Sequence, residues 1–451
     1  MTTDLPDFAG LLGADRVLTG ARRTNGYLRD FPSYSPILEN APSTTTVDAV
    51  LRPRSVPELA AVVSAAARHR VPMTLRGSGT GNHGQSLPLQ QGIVVDVRDI
   101  AGVLEVAPGR ISVLPGTIMR DAEEAARATG QELAIMPSSY RVATASGFVC
   151  GGSAGIGSAA HGDLWDGNVL AVEILTAEEN PRLIRLEGIE AFPVLHTYGT
   201  VGVVTRIELR LTPARRYEAS YAVFEDFTVA AAFAWDLVNS ELRTRLVSLQ
   251  QAPLVTMFEP VADLFRPGAH AVLILAEAAR TEELAGFVRV REGMWQLWPE
   301  EPHISEFPFS HTILWTKKAE PESSWLQCRY ADDRRGFLEQ VAAVSARYPG
   351  VFVQHVELTK GLVVKPMGIP MLRGLPDHEG ALDELMTYCR SIGMRLHNPH
   401  SCVVEEGGFV GEVATLLALK ARTDPHHILN PGKLGDSFFT TRPPATRPAA
   451  E

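Results

Sequence analysis

Two glycine-dense segments about seventy residues apart constrain this chain more than any other feature: RGSGTGNHGQ (76–85) and PSSYRVATASGFVCGGSAGIGSAAHG (137–162). Glycine tolerates backbone conformations and close approaches that a Cβ forbids, so such runs mark places where main chain must turn tightly or face a ligand. The first segment contains Gly79-Thr-Gly81-Asn-His-Gly84, which reads as G-x-G-x-x-G. A Rossmann turn needs a helix opening at the third glycine, because the pyrophosphate sits on that helix's N-terminus. Here QSLPLQQ follows, with Pro88, and the next strand begins by residue 92. Asp99 lies about twenty residues beyond Gly79, as a ribose-binding acid would, but a single acid is weak support. Two further readings fit the loop: a nest of converging backbone N–H groups around an anion, or a plain surface turn. The second segment has five glycines between 147 and 157, which predicts ligand-facing loop and short turns instead of a helix or long strand.

The flanking sequence supplies regular elements. Ser55-Val-Pro-Glu58 is a capping box, and Leu59, Val62, Val63 and Ala66 then recur at helical spacing through Arg70. VPMTLRG (71–77), GIVVDV (92–97) and RISVLPG (110–116) read as strands, and Thr117 is placed to cap a helix over 118–130. NVLAVEILT (168–176), PRLIRLEG (181–188) and GVVTRIELRLT (202–212) read as further strands. Beyond Pro213 helices are expected over 227–239, 282–293, 332–348, 379–393 and 411–423, with strands at HAVLILAEA, FVQHVEL and KGLVVKPMG. The expected organisation is a leader at 1–45, a first domain at 46–214, a substrate or cap domain at 215–410, a C-terminal return at 411–438 and a disordered Pro/Ala-rich tail at 439–451.

A net charge of −10 argues against a nucleic-acid surface or a general anionic-membrane surface, both of which need clustered Lys and Arg. The apolar run HAVLILAEAA is too short to span a bilayer, and the N-terminus lacks a signal-peptide pattern. Cys150, Cys328, Cys389 and Cys402 are scattered and form no C-x-x-C pair, which suits a reducing, cytoplasmic setting without structural zinc.

Taken in order, RGSGTGNHGQ, ATASGFVCGGSAGIGSAAHG, GNVLAVEILT, YGTVGVVTRIEL and DPHHILNPGKL resemble the FAD-binding oxidoreductases of the vanillyl-alcohol-oxidase and p-cresol-methylhydroxylase (PCMH) type, a group that includes D-lactate dehydrogenases and the glycolate oxidase flavin subunit. The resemblance covers roughly 45–213 and 424–434. It implies an α+β protein, with a PCMH-type FAD-binding domain of two α/β subdomains and a cap domain built on an antiparallel sheet. It also implies that Arg76, Gly77, Ser78, Gly79, Thr80 and Gly81 wrap the pyrophosphate, with Asn82 and His83 at the edge. Pro137 and Ser138 stand where the family contacts the flavin. Thr144 and Gly147 match its T-x-G-G turn, with Ser146 replacing the first glycine. Gly151, Gly152, Gly155 and Ser158 would line the ring and ribityl chain, Gly162 would close the turn, Val204 would meet the adenine, and Asn430 belongs to the return into this domain. Thr80 occupies the place of the family's flavin-linking histidine, and Cys150 lies inside the glycine run, away from the linking cysteine's place. Non-covalent FAD is therefore expected.

Oxidising a C–H bond beside a flavin requires a base, which is expected from the second domain. MRLHNPHSCVVEEGG (394–408) supplies His397, Asn398, His400, Glu405 and Glu406. Glu405-Glu406-Gly407 falls at the family's Glu-His-Gly element with the histidine replaced, and the metal-binding H-x-G-D-G-N-x-H motif is missing, Gln354-His355-Val-Glu357 being a poor substitute. No metal is assigned. His397 and His400 would point to opposite faces of an extended segment unless Pro399 bends it. Tyr198 is a further catalytic candidate, Lys360 and Lys365 could anchor a substrate carboxylate, and Phe307, Phe309, His311, Trp315 and Trp325 could wall an apolar pocket or pack a core. The expected function is an FAD-dependent oxidoreductase acting on a small alcohol, hydroxy acid or related group. O2 or another carrier would accept the electrons, and a homodimer is compatible. The alternative is a redox-neutral transferase like the alkylglycerone-phosphate synthases, or a flavin subunit of a larger complex. A transferase would favour an Arg/Lys cluster in 300–400, where only Lys317-Lys318 and Arg334-Arg335 pair up.

Overall fold

The computed structural model describes residues 5–30, 46–375, 379–407 and 412–435. The first domain holds two sheets. In one, Ala49–Leu51, Ile93–Asp96 and Met73–Arg76 lie parallel, with Val17–Leu18 of the leader added antiparallel at the edge. The helix Val56–Arg68 makes the crossover that a parallel pair needs, and Leu59, Val62, Val63 and Ala66 bury its apolar face. Its start is the expected one, since the Ser55 side chain accepts from the Glu58 N–H. In the second sheet Val103–Ala107, Arg110–Val113, Val203–Pro213, Val169–Leu175 and Leu183–Glu187 are neighbours in that order and antiparallel throughout. Gln131–Leu133 pairs the far end of the long strand Val203–Pro213.

Two local expectations are corrected. Thr117 does not cap the helix Met119–Arg127. Ile118 stands at that cap, and the Thr117 hydroxyl instead bonds both the N–H and the carbonyl of Gly102. The glycine-rich segment is not all loop, because Ala145–Gly151 is a helix and Ser158–His161 a short helical turn. Glycine's intrinsic cost is offset there by a cap, Thr144 Oγ1 accepting from the Gly147 N–H at 3.2 Å, and by burial of Ala145, Phe148 and Val149.

The cap domain is an eight-stranded antiparallel sheet in the order Met294–Leu297, Tyr217–Phe224, His270–Glu277, Thr244–Gln250, His355–Lys360, Val364–Gly368, Gln327–Arg329, Arg395–His397. The helices Phe227–Val238, Thr281–Arg289, Arg334–Arg347 and Glu379–Ser391 fall where helical spacing predicts them. FVQHVEL splits between sheets, Phe352–Val353 joining the three-stranded one with Ser324–Trp325 and Met371–Leu372. The helix Ser310–Ala319 and the strands Tyr217–Phe224 and Thr244–Gln250 were not legible in the sequence. The tail at 439–451 lies outside the described residues.

After the helix Val413–Thr423 the chain returns to the first sheet. The Met73 N–H donates to the Ile428 carbonyl at 2.7 Å and the Asn430 N–H to the Met73 carbonyl at 2.8 Å, so 428–430 run beside Met73–Arg76. Buried Asp424 organises the turn by accepting from the Ile428 and Leu429 N–H groups and from the Lys420 ammonium. Among the described residues no helix is long and apolar enough to cross a membrane.

Candidate active site

A cavity of about 300 Å³ opens where both glycine segments meet the cap domain. Its first-domain side is mostly backbone and small hydroxyls. Arg76, Gly77, Ser78, Gly79, Thr80, Gly81, Asn82 and His83 line it, as do Pro137, Ser138, Thr144, Gly147, Gly151, Gly152, Tyr198 and Val204. Gly155, Ser158 and Gly162 do not line it. A Cβ on Gly155 would stand 1.9 Å from the Met136 carbonyl oxygen, Ser158 Oγ accepts from the Gly155 N–H, and Gly162 takes a positive φ of 73° against Asp166. These three shape the chain behind the cavity. Asn430 is also behind it, its Nδ2 donating to the carbonyls of Tyr198 and Gln85.

The glycines are required by space. A Cβ on Gly77 would lie 2.1 Å from Thr144 Oγ1, and one on Gly79, at φ 67°, would lie 2.2 Å from the Arg76 guanidinium. Arg76 is packed beneath the loop, donating to the Arg29 carbonyl at 2.9 Å and to Ser86 Oγ at 3.0 Å. No helix begins at Gly84, so the loop is a helix-free turn and the G-x-G-x-x-G match carries no Rossmann geometry.

Where the domains meet, His83 is the hub. Its ring stands edge-on to Trp325 with centroids 5.3 Å apart and edge-on to His196 at 5.9 Å. Burial, reinforced by repulsion from His196, His397 and His400, holds its pKa well below 6.5, so the imidazole is neutral at pH 7. His196 and Tyr198 both adopt positive φ, 57° and 56°, in a turn fastened to the glycine-rich helix by the His196 N–H to the Val149 carbonyl and the Tyr198 N–H to the Cys150 carbonyl. Burial lowers His196 to about 4. Its Nδ1 donates to the Gly152 carbonyl at 2.8 Å, which leaves Nε2 as the acceptor facing the Tyr198 hydroxyl at 3.4 Å.

The stretch expected to hold the catalytic groups lies one layer back. His397 and His400 are buried off the cavity but near enough to His83 to repel its charged form, and Asn398 Oδ1 accepts from the His400 N–H across Pro399 at 3.0 Å. Burial lowers His400 to about 4 while its ring donates to the Trp325 carbonyl. Glu405 is elsewhere, accepting from the Gly435 N–H at 2.7 Å. Lys360 donates to the Val238 carbonyl and Lys365 pairs with Asp166 at 2.8 Å, both outside the cavity. Of the aromatic candidates Phe309, His311 and Trp325 line the cavity, whereas Phe307 and Trp315 stack on each other with centroids 5.8 Å apart. Sequence reasoning missed His196 altogether. The only signal was a histidine two residues before Tyr198, ahead of a Gly-x-x-Gly. Among the described residues no three His, Cys, Asp or Glu side chains are arranged to hold a metal ion.

The cavity fits FAD. Its cradle is one that Cβ atoms would fill, its Ser and Thr hydroxyls and glycine N–H groups are the donors a pyrophosphate needs, and Val97, Gly202, Val203 and Val204 give an apolar end. A sequence-family model described as "FAD binding domain" matches residues 47–182. The chain is 27% identical over 243 residues to the glycolate oxidase subunit GlcD of Bacillus subtilis (strain 168), a stretch that is 51% of each chain, so the match spans about half of that relative. It is 22% identical over 418 residues to GlcD of Escherichia coli (strain K12), covering 85% of this chain and 83% of that one. A solved alkyldihydroxyacetonephosphate synthase superposes with a TM-score of 0.72 at 15% identity, over 95% of this chain and 85% of the other, a likeness of fold. Cradle, sequence match and architecture agree that residues 47–182 are a PCMH-type FAD-binding domain, in a chain homologous to the flavin subunits of the glycolate oxidase and D-lactate dehydrogenase kind.

Proposed function

We propose that the protein oxidises a small organic substrate at a hydroxyl-bearing carbon, the class that takes in alcohols and hydroxy acids, with non-covalently held FAD. When bound, FAD supplies the acceptor for the two electrons that leave the substrate carbon. The observation that carries the reading is His83, a neutral imidazole lining the cavity at the meeting of the two domains. A neutral imidazole can take the hydroxyl proton, whereas an imidazolium cannot. His196 and Tyr198 form the polar flank beside it, while His397 and His400 help to keep its proton affinity low. Buried Trp325 and Phe309 give the cap side an apolar wall. Thr80 stands where a linking histidine would, and burial pushes the Cys150 thiol up to about 12, which keeps it protonated and unreactive at neutral pH.

The purified protein is expected to be yellow and to release its flavin on denaturation. Under anaerobic conditions an alcohol or hydroxy acid from a panel that also contains amines should bleach it, and adding O2 or an artificial acceptor then identifies the electron carrier. A colourless protein that takes up no FAD sinks the reading. A yellow protein bleached only by amines would move the chemistry to C–N oxidation.

A further inference from the structure

The cap side of the cavity is lined mainly by Phe309, Leu314, Trp325, Met367 and Ile369, with Ser310, His311 and Gln327 as its uncharged polar groups. We infer that this site selects an uncharged, largely apolar hydroxy compound and discriminates against carboxylates, although the relatives named above are glycolate oxidase and D-lactate dehydrogenase proteins. The inference rests on the alcohol-oxidation reading and adds the class of substrate.

Three observations support it. The first concerns cations. Among the described residues Arg76 is the one Lys or Arg that lines the cavity, and its guanidinium is committed beneath the glycine loop to Arg29 and Ser86. Lys360 and Lys365 are spent on Val238 and Asp166, and Lys317 donates to the Ser323 carbonyl. The imidazoles at the cavity, His83, His196 and His311, are all lowered by burial and carry no charge at neutral pH.

The second concerns the helix Ser310–Ala319, whose N-terminus faces the cavity and would otherwise be the natural seat for a carboxylate. That seat is taken from behind by the protein's own Glu357. Its Oε1 accepts from the Phe309 N–H at 2.8 Å, from Ser248 Oγ at 2.8 Å and from His355 Nε2 at 2.6 Å, with Glu357 and His355 buried to 1% and 0% exposure. Phe309 is held there at φ 55° and ψ −133°, a conformation rare for a residue with a side chain. A second carboxylate entering this end of the cavity would find the Phe309 N–H already engaged by Glu357.

The third is chemical. An anion buried without a partner is strongly disfavoured, while an apolar wall rewards an apolar substrate in proportion to the area it covers.

The test uses the holoenzyme and a matched pair, mandelamide and mandelate, which share the α-hydroxyl and differ in charge. Binding is measured by calorimetry on dithionite-reduced holoenzyme, which cannot turn over. Mandelamide is expected to bind at least about tenfold more tightly, and Gln327→Arg, which adds a guanidinium to the cap side, is expected to erase or reverse the difference. Equal or tighter binding of mandelate by the unaltered protein overturns the inference, as does failure of both compounds to bind. If mandelamide binds preferentially but no hydroxy compound bleaches the oxidised holoenzyme, the selectivity stands and the alcohol-oxidation reading falls.

Discussion

Lys433 Nζ donates to the Gly84 carbonyl oxygen at 2.8 Å, and to that of Gln85 at 2.7 Å, closing the far end of the glycine loop from almost 350 positions along the chain. The ammonium is fully buried, and burial lowers its pKa to about 8. Lys433→Met leaves two buried carbonyls without their donor, a loss of about 1–3 kcal/mol. The expected outcome is a lower melting temperature and FAD binding weakened by about tenfold or more, read from a flavin titration of the apoprotein.

Gly77→Ala is expected to abolish FAD retention, because its Cβ would sit 2.1 Å from Thr144 Oγ1 and force the two glycine segments apart. Gly109→Ala is the control. Its φ of 78° is by itself unfavourable for alanine, but nothing lies within 4 Å of the added atom and it is away from the cavity. It should cost about 1–2 kcal/mol in stability and leave the flavin-to-protein ratio unchanged.

Thr144→Val removes the hydroxyl that caps the helix Ala145–Gly151 at the Gly147 N–H, while keeping the side chain's shape. A loss of about 1 kcal/mol is expected. Thr144→Ser should restore it, and urea unfolding of the three proteins measures both.

His83→Gln should slow anaerobic flavin reduction by about a hundredfold or more, if the imidazole takes the substrate proton, with the FAD dissociation constant changed far less. His400→Gln, acting through His83, should give a smaller loss and shift the acid limb of the pH–rate profile. Stopped-flow reduction across pH separates the two effects.

Stability should fall on acidification. His196 and His400 are held near 4 in the folded protein by burial, against 6.5 for the free side chain. Between those values the unfolded chain binds more protons than the folded one, so stability is full above about 6.5 and is lost as the pH drops toward 4. Each group contributes at most about 3 kcal/mol over that window. Melting temperatures at pH 7 and pH 5 test the sign, and His400→Gln should flatten the slope.

The sequence alone determined the elements whose signals are local. Ser55 to Glu58 announces the first long helix, the apolar alternation of 92–97 a strand, and Pro88 after Gly84 excludes a Rossmann turn, each by rules acting over a few residues. The glycine segments and the order of their neighbours likewise carried the resemblance to an FAD domain, because close backbone approach leaves its mark in residue type. What only the tertiary structure decided depends on distance across the fold. Glycine content argued against the helix Ala145–Gly151, and a cap plus buried packing overruled it. The one local signal for His196, its place two residues before Tyr198, says nothing of its partners, and only the turn anchored at Val149 and Cys150 carries it to His83. His397, His400 and Glu405 look alike as a cluster in sequence, yet the first two end up near enough to His83 to lower its pKa and the third at Gly435. Clustering along a chain fixes which groups are near in contour length, and the packing of one domain against another fixes which of them face the same space.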